Sequence, residues 1–223
     1  MSLTGLLFDL DGTLADTAPD LVAVLNQLLA EADRPPTPYA IARNAVSHGA
    51  IGLIRLGFGL SADVSVDPSL QQRFVDLYAA RGHAHSRLFI ELESILSLCS
   101  RIGARWGIVT NKPQALTEPL LDTLGLLSTT EALVSGDTLA KRKPDPAPLE
   151  LAARQLGIDP SACIYLGDAE RDVVAGRAAG MRTVSASYGY IRPGENHDGW
   201  RADAIVDHPR KIEPMLLELT GAH

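Results

Sequence analysis

The chain has little cysteine, no long basic run and no long apolar run. Its 223 residues include two cysteines, Cys99 and Cys163. They lie far apart and lack metal-type spacing, and their apolar surroundings suit buried thiols better than a disulfide. No apolar stretch approaches the ~20 residues of a membrane span. The first apolar run is broken by Asp9 and has no charged segment before it, so no signal peptide is expected. A net charge of −7 without a basic cluster lacks the electrostatic footprint of a nucleic-acid binder. Internal repeats and low-complexity segments are absent. These absences lead to the expectation of a cytoplasmic protein with neither a membrane nor a nucleic-acid partner; no feature specifies an oligomeric state.

What remains is ordinary globular material, 46% apolar and 21% charged. The length suits one large domain, or a core carrying an insertion. Short apolar runs recur at 6–8, 106–109, 132–134, 163–166, 183–185 and 204–206. Each is too short for a helix, and several are β-branched, which predicts strands. Helices are predicted at 113–124, 146–156 and 169–179, where proline or alanine opens a segment and glycine follows it. Strand and helix in alternation imply a parallel sheet covered on both faces.

Residues 16–86 break that alternation. Leu21, Val24, Leu25, Leu28 and Leu29 recur at helical spacing. RPPTP (34–38) reads as a linker, 39–46, 50–57 and 68–81 read as helices, and no strand is expected. The predicted fold is therefore α/β: a Rossmann-like parallel sheet formed by 1–15 and 87–223, with an all-helical insertion at 16–86.

Ligands of open parallel sheets bind beyond the carboxyl ends of the strands. Asp9 and Asp11 follow the first run, Thr110 and Asn111 the second, and Asp168 follows CIYLG, with Asp172 one turn further on. Lys143, in KRKPDP, joins them. Two carboxylates about 4 Å apart repel by roughly 4 kcal/mol at an effective dielectric near 20. Four in one crevice need a cation, and hard oxygen ligands suit Mg²⁺.

These residues resemble the motifs of the haloacid dehalogenase superfamily. DLDGT (9–13) is similar to its first motif, VTN around Thr110 to its second, KPDP at Lys143 to its third and GDAERD (167–172) to its fourth. The helical insertion resembles the four-helix (C1-type) cap of the phosphoglycolate phosphatase and β-phosphoglucomutase subclass. The tail from YGYIRPGENHDGW onward, with WGIVTNKP, is most similar to bacterial N-acetylmuramic acid 6-phosphate phosphatases within the phosphoglycolate phosphatase-like branch. FIELESIL (89–96) departs from the Pro-Gly pair common in relatives.

The resemblance implies a Mg²⁺-dependent phosphatase acting on a small-molecule phosphomonoester, such as phosphoglycolate or a sugar phosphate, through an aspartyl-phosphate. Asp9 would be the nucleophile and Asp11 the acid and base. Asp9, the Asp11 carbonyl and Asp168 would hold Mg²⁺. Thr110, the Asn111 amide and Lys143 would hold the phosphoryl group, Asp172 would orient Lys143 or the metal's water, and Thr13 would help hold the turn at Gly12. His48, Gly49 and Arg55 would be cap residues within reach of substrate. A mutase that transfers the phosphoryl group remains an alternative, and a receiver-type signalling module a more distant one. A dehalogenase would lack the acid at Asp11, and a phosphonatase needs a cap lysine, which 16–86 does not contain. Lys143 is preferred to Lys141 because proline follows it. Among the remaining polar residues, His83, His85, Arg171 and Arg177 are expected at the surface. Asp16 and Asp20 are expected as helix-start residues, and Tyr188 and Tyr190 as packing residues.

Overall fold

The first apolar run, Gly5–Phe8, forms strand β1 and is buried throughout, as expected for a strand covered on both faces. The structure, a computed structural model, describes residues 5–192 and 194–220. After β1 come a short strand β2 (Ala15–Asp16) and helices α1 (Ala18–Glu31), α2 (Tyr39–Ala42), α3 (Gly49–Phe58) and α4 (Pro68–Arg81). A 3₁₀ turn spans Arg43–His48. The chain returns through β3 (Arg87–Leu88), which pairs antiparallel with β2. Then follow α5 (Leu92–Ile102), β4 (Arg105–Val109), α6 (Gln114–Thr123), β5 (Ala132–Val134), α7 (Ala147–Leu156), β6 (Cys163–Gly167), α8 (Glu170–Ala178), β7 (Arg182–Ala186), β8 (Ala204–Val206) and α9 (Ile212–Thr220).

Six strands form one sheet in the order β5-β4-β1-β6-β7-β8, and every pairing in it is parallel. They are the six runs expected from sequence. Alternation along β1 sends Leu6 and Phe8 to one face and Leu7 to the other. Leu6 and Phe8 pack with Leu92, Ile95, Leu120, Ile212 and Leu216, hence under α5, α6 and α9. Leu7 packs with Leu149, Ala152, Leu156 and Ala175 of α7 and α8.

The helices α1–α4 bury a separate cluster in which Leu21, Val24, Leu25, Leu28 and Leu29 meet Leu53, Ile54, Phe74 and Tyr78. Three expectations need correction. The β2–β3 ribbon at the base of the insertion was not anticipated, because two residues per strand show no periodicity. The helix expected at 39–46 breaks into α2 and the 3₁₀ turn. Asp16 lies in β2 and accepts from Tyr190 Oη (2.8 Å), rather than opening a helix.

Candidate active site

β1 has β4 on one side and β6 on the other, so the chain reverses direction of growth at β1, where open sheets hold their ligands. Asp9, Thr110 and Asp168 each follow the last residue of one of these strands. The turn after β1 is tight: Gly12 takes φ +88°, and a Cβ there would lie 2.1 Å from Asp168 Oδ2. Only glycine fits both demands. Thr13 meets this turn through its backbone, its amide donating to Leu10 O (3.4 Å) and its carbonyl accepting from Tyr188 Oη (2.8 Å), while its buried hydroxyl has no hydrogen-bond partner among the described residues.

Lys143 lies beneath this crevice. Its Nζ is 2.9 Å from Asp9 Oδ1 and 2.8 Å from Asp172 Oδ1. It also donates to Val109 O (2.9 Å) and to Tyr165 Oη (2.7 Å). The Asn111 carboxamide grips the Lys143 backbone in both directions, accepting from N (3.1 Å) and donating to O (3.0 Å). Asp172 is fixed again by the Ala169 amide, which donates to Oδ2 (3.1 Å). Burial raises the pKa of Asp9, and the Lys143 charge opposes that rise.

Asp168 accepts from Ser47 Oγ (2.7 Å) and the Tyr190 amide (2.9 Å) at Oδ2. Its Oδ1 is buried and has no hydrogen-bond partner. Burial first, then the charges of Asp9 and Asp172, push its pKa up to about 7. Among the described residues, Asp9, Asp168 and Asp172 offer carboxylate oxygens that all lie within 4.8 Å of one another. An orphaned oxygen in a cluster of hard donors fits Mg²⁺.

Asp11 is bound differently. Thr17 Oγ1 donates to its Oδ1 (2.5 Å), and Lys112 Nζ reaches Oδ1 (3.1 Å) and Oδ2 (3.4 Å). The same ammonium donates to Tyr78 Oη on α4 (3.0 Å) and lies 4.5 Å from the Tyr78 ring centre. Burial lowers the Lys112 pKa, but Asp11 and Tyr78 more than reverse that and raise it.

A cleft of about 440 Å³ opens above these groups, lined among others by Asp9, Asp11, Thr110, Asn111, His48 and Gly49. Arg55 is not brought there. Its guanidinium donates to the carbonyls of Ser61, Ala62 and Val64, closing the loop after α3. Arg171 was expected on an exposed face but is half-buried and lines the cleft. His83 is buried rather than superficial, edge-on to Tyr78 at 5.0 Å. His85 and Arg177 are exposed, as expected. Asp20 stands in the first turn of α1 but is fully buried, bound by Ser86 Oγ (2.8 Å) and the His85 amide (3.0 Å). Tyr190 packs as expected; its hydroxyl also accepts from the amides of Thr17 and Ala18.

Sequence reasoning missed Lys112, Ser47, Tyr78 and Tyr165. Lys112 and Tyr165 left a signal: one stands two residues after Thr110, the other inside a buried strand, where a hydroxyl requires a partner.

The haloacid dehalogenase-like hydrolase family model matches residues 6–186. The chain belongs to this family. It is 42% identical over 216 residues to an N-acetylmuramic acid 6-phosphate phosphatase of Pseudomonas aeruginosa, covering 97% of this chain and 96% of that protein. It is 40% identical over 206 residues to a phosphoglycolate phosphatase of Xanthomonas campestris pv. campestris, covering 92% and 93%. A solved structure described as a predicted phosphoglycolate phosphatase from Haemophilus somnus 129pt superposes with a TM-score of 0.83 at 24% identity, covering 96% and 98%. In this haloacid dehalogenase-like chain, as in that structure, the fold extends over nearly the whole length. No helix among the described residues is long and apolar enough to cross a membrane.

Proposed function

We propose that the chain is a Mg²⁺-dependent phosphatase that hydrolyses a small phosphomonoester through an aspartyl-phosphate on Asp9. The observation that carries this reading is the meeting of Asp9 with Lys143 (2.9 Å) in a buried crevice shared with Asp168 and Asp172. The names of the curated relatives favour N-acetylmuramic acid 6-phosphate and phosphoglycolate as substrates.

In the first step an Asp9 oxygen bonds to phosphorus and the ester oxygen leaves, taking a proton from the Asp11 carboxyl. In the second, water attacks phosphorus, Asp11 takes its proton, and the bond to Asp9 breaks, releasing phosphate. Thr110 Oγ1 and the Asn111 amide hold phosphoryl oxygens. Lys143 balances charge on Asp9, and its contact with Asp172 fixes its position. Lys112 and Thr17 orient the Asp11 carboxylate. Asp9, Asp168 and the Asp11 carbonyl would hold Mg²⁺, which when bound offsets negative charge on the carboxylates and the phosphoryl oxygens. Asp172 is already engaged by Lys143 and Ala169. Because phosphoryl transfer is loose and rich in charge, such fixed electrostatics supply most of the catalysis.

Residues 16–86 serve in this reading as a cap over a core of 1–15 and 87–223, closing on linkers near 14–17 and 84–90 and excluding bulk water. A panel of phosphomonoesters ranked by kcat/KM tests the reading. At least one is expected to reach about 10⁴ M⁻¹s⁻¹ with Mg²⁺. Asp9→Asn is expected to lower kcat on the order of 10⁴-fold or more with the fold intact. Undiminished hydrolysis after exhaustive chelation contradicts the reading. Release of an isomerised sugar phosphate rather than free phosphate indicates a mutase.

A further inference from the structure

The basic side chains around the cleft differ in how they are occupied. Lys143 is bound to Asp9, Asp172, Val109 and Tyr165. Lys112 is bound to Asp11 and Tyr78. Arg142 is exposed on the loop before Lys143. Arg171 is half-buried at the cleft wall and, among the described residues, its guanidinium has no hydrogen-bond or ion-pair partner.

A guanidinium presents five N–H donors in a planar fork. None of the Arg171 nitrogens is both buried and unpartnered, so the fork stays open to the cleft. The surrounding charges explain why it stays ionised: burial opposes its charge, and Asp172, Asp9 and Asp168 together raise its pKa despite that. They leave its donors available to a ligand in the cleft. His48, on the insertion side of the same cleft, also has no hydrogen-bond partner among the described residues, and it lies within electrostatic reach of Arg171. The phosphoryl group already has Thr110, Asn111 and Lys143. A guanidinium fork matches the two oxygens of a carboxylate.

We propose that Arg171, with His48 on the opposite side of the cleft, receives a second negative group of the substrate, a carboxylate carried on the part of the ester remote from phosphorus. Arg171 is thus the specificity-determining residue of the site. This rests on the phosphatase reading and narrows its substrate class to phosphomonoesters that carry a carboxylate. A charged hydrogen-bonded contact of this kind amounts to about 10- to 100-fold in kcat/KM.

The test uses the Mg²⁺-loaded full chain and two matched pairs. 2-Phosphoglycolate is set against ethyl phosphate, and N-acetylmuramic acid 6-phosphate against N-acetylglucosamine 6-phosphate; each pair differs by a carboxylate-bearing group. At least one pair is expected to show about 10-fold or greater preference for the carboxylate member. Arg171→Gln is expected to collapse that ratio about 10- to 100-fold, and Arg171→Lys to restore part of it. If both members fall together and the ratio stands, Arg171 acts on the phosphoryl group or the fold, and the proposal is overturned. Should Arg171→Gln not fold, the wild-type chain still decides. Phosphonoacetate is expected to inhibit p-nitrophenyl phosphate hydrolysis at about one-tenth the concentration required of ethylphosphonate, and equal inhibition overturns the proposal. A wild type that hydrolyses p-nitrophenyl phosphate but shows ratios near one in both pairs overturns this inference alone. A wild type that hydrolyses no phosphomonoester overturns the phosphatase reading, and the inference with it.

Discussion

Lys143 and Lys112 each join an aspartate to a tyrosine hydroxyl, but the two clusters draw on different parts of the molecule. Every partner of Lys143 belongs to the parallel sheet or the elements beside it: Asp9 after β1, Val109 on β4, Tyr165 on β6 and Asp172 on α8. Its side chain is 0% exposed. Lys112 holds Asp11 on the sheet side and Tyr78 on α4, in the helical insertion, and Asp11 is 18% exposed. The Lys143 cluster is therefore built without a contact from the insertion, whereas Asp168 beside it takes a hydrogen bond from Ser47. The contacts that orient Asp11 include one that exists only while α4 sits against the loop after β4.

Removing each lysine separates the two clusters. Lys143→Met strands two buried carboxylates, and the loss of one partner of such a pair costs about 3–5 kcal/mol; urea unfolding of the metal-free protein measures it. A fall below 1 kcal/mol would mean that the buried cluster is not held by this cation.

The carboxylates also give the floor its pH dependence. Folded Asp168 keeps its proton to about pH 7 against an ordinary 3.8. Between those values the folded state binds the extra proton, so the metal-free protein loses stability as pH rises through that window. The loss is up to about 4 kcal/mol. Mg²⁺ is accordingly expected to raise the unfolding temperature more at pH 8 than at pH 5. An equal rise at both values would break the link between Asp168 and the ion.

Lys112→Met is expected to cost less than its counterpart, about 1–2 kcal/mol, because Asp11 reaches water and keeps Thr17. Its larger effect is expected on kcat, with KM for p-nitrophenyl phosphate changed less than threefold. A loss confined to KM would reassign Lys112 from orienting Asp11 to holding substrate.

The smallest effect is expected where the chain re-enters the sheet region. Glu91 adopts φ 77° at the start of α5, a left-handed conformation that glycine takes without strain. Glu91→Gly is expected to stabilise the chain by about 0.5–1 kcal/mol, read as a rise in unfolding temperature. A fall would show that its contact with His208, 3.2 Å away, outweighs the strain.

The same division explains what could be read from sequence. The six strands were legible because each is a short apolar run, buried throughout in β1 and β6 though partly exposed in β8, and the carboxylates because they stand at the ends of those runs. Asp9, Thr110, Lys143, Asp168 and Asp172 come from segments whose spacing carries a motif. Arg171 was misread: in the first turn of α8, which begins at the sheet edge, a residue beside Asp172 reaches the cleft whatever the later periodicity of the helix. Ser47 and Tyr78 were invisible for another reason. They act on the site only through the placement of the insertion on the sheet, and no local pattern encodes that packing. His83 was misjudged likewise, since Tyr78 buries it.

The central claim is that Asp9 is esterified and released in every turnover. It is tested most directly by the stereochemistry at phosphorus. Hydrolysis of an oxygen-labelled chiral phosphorothioate ester in heavy-oxygen water distinguishes two displacements from one, however short-lived the intermediate. Two in-line displacements, through Asp9 and then water, predict retention of configuration; inversion would mean that water attacks the ester directly and that Asp9 is never phosphorylated.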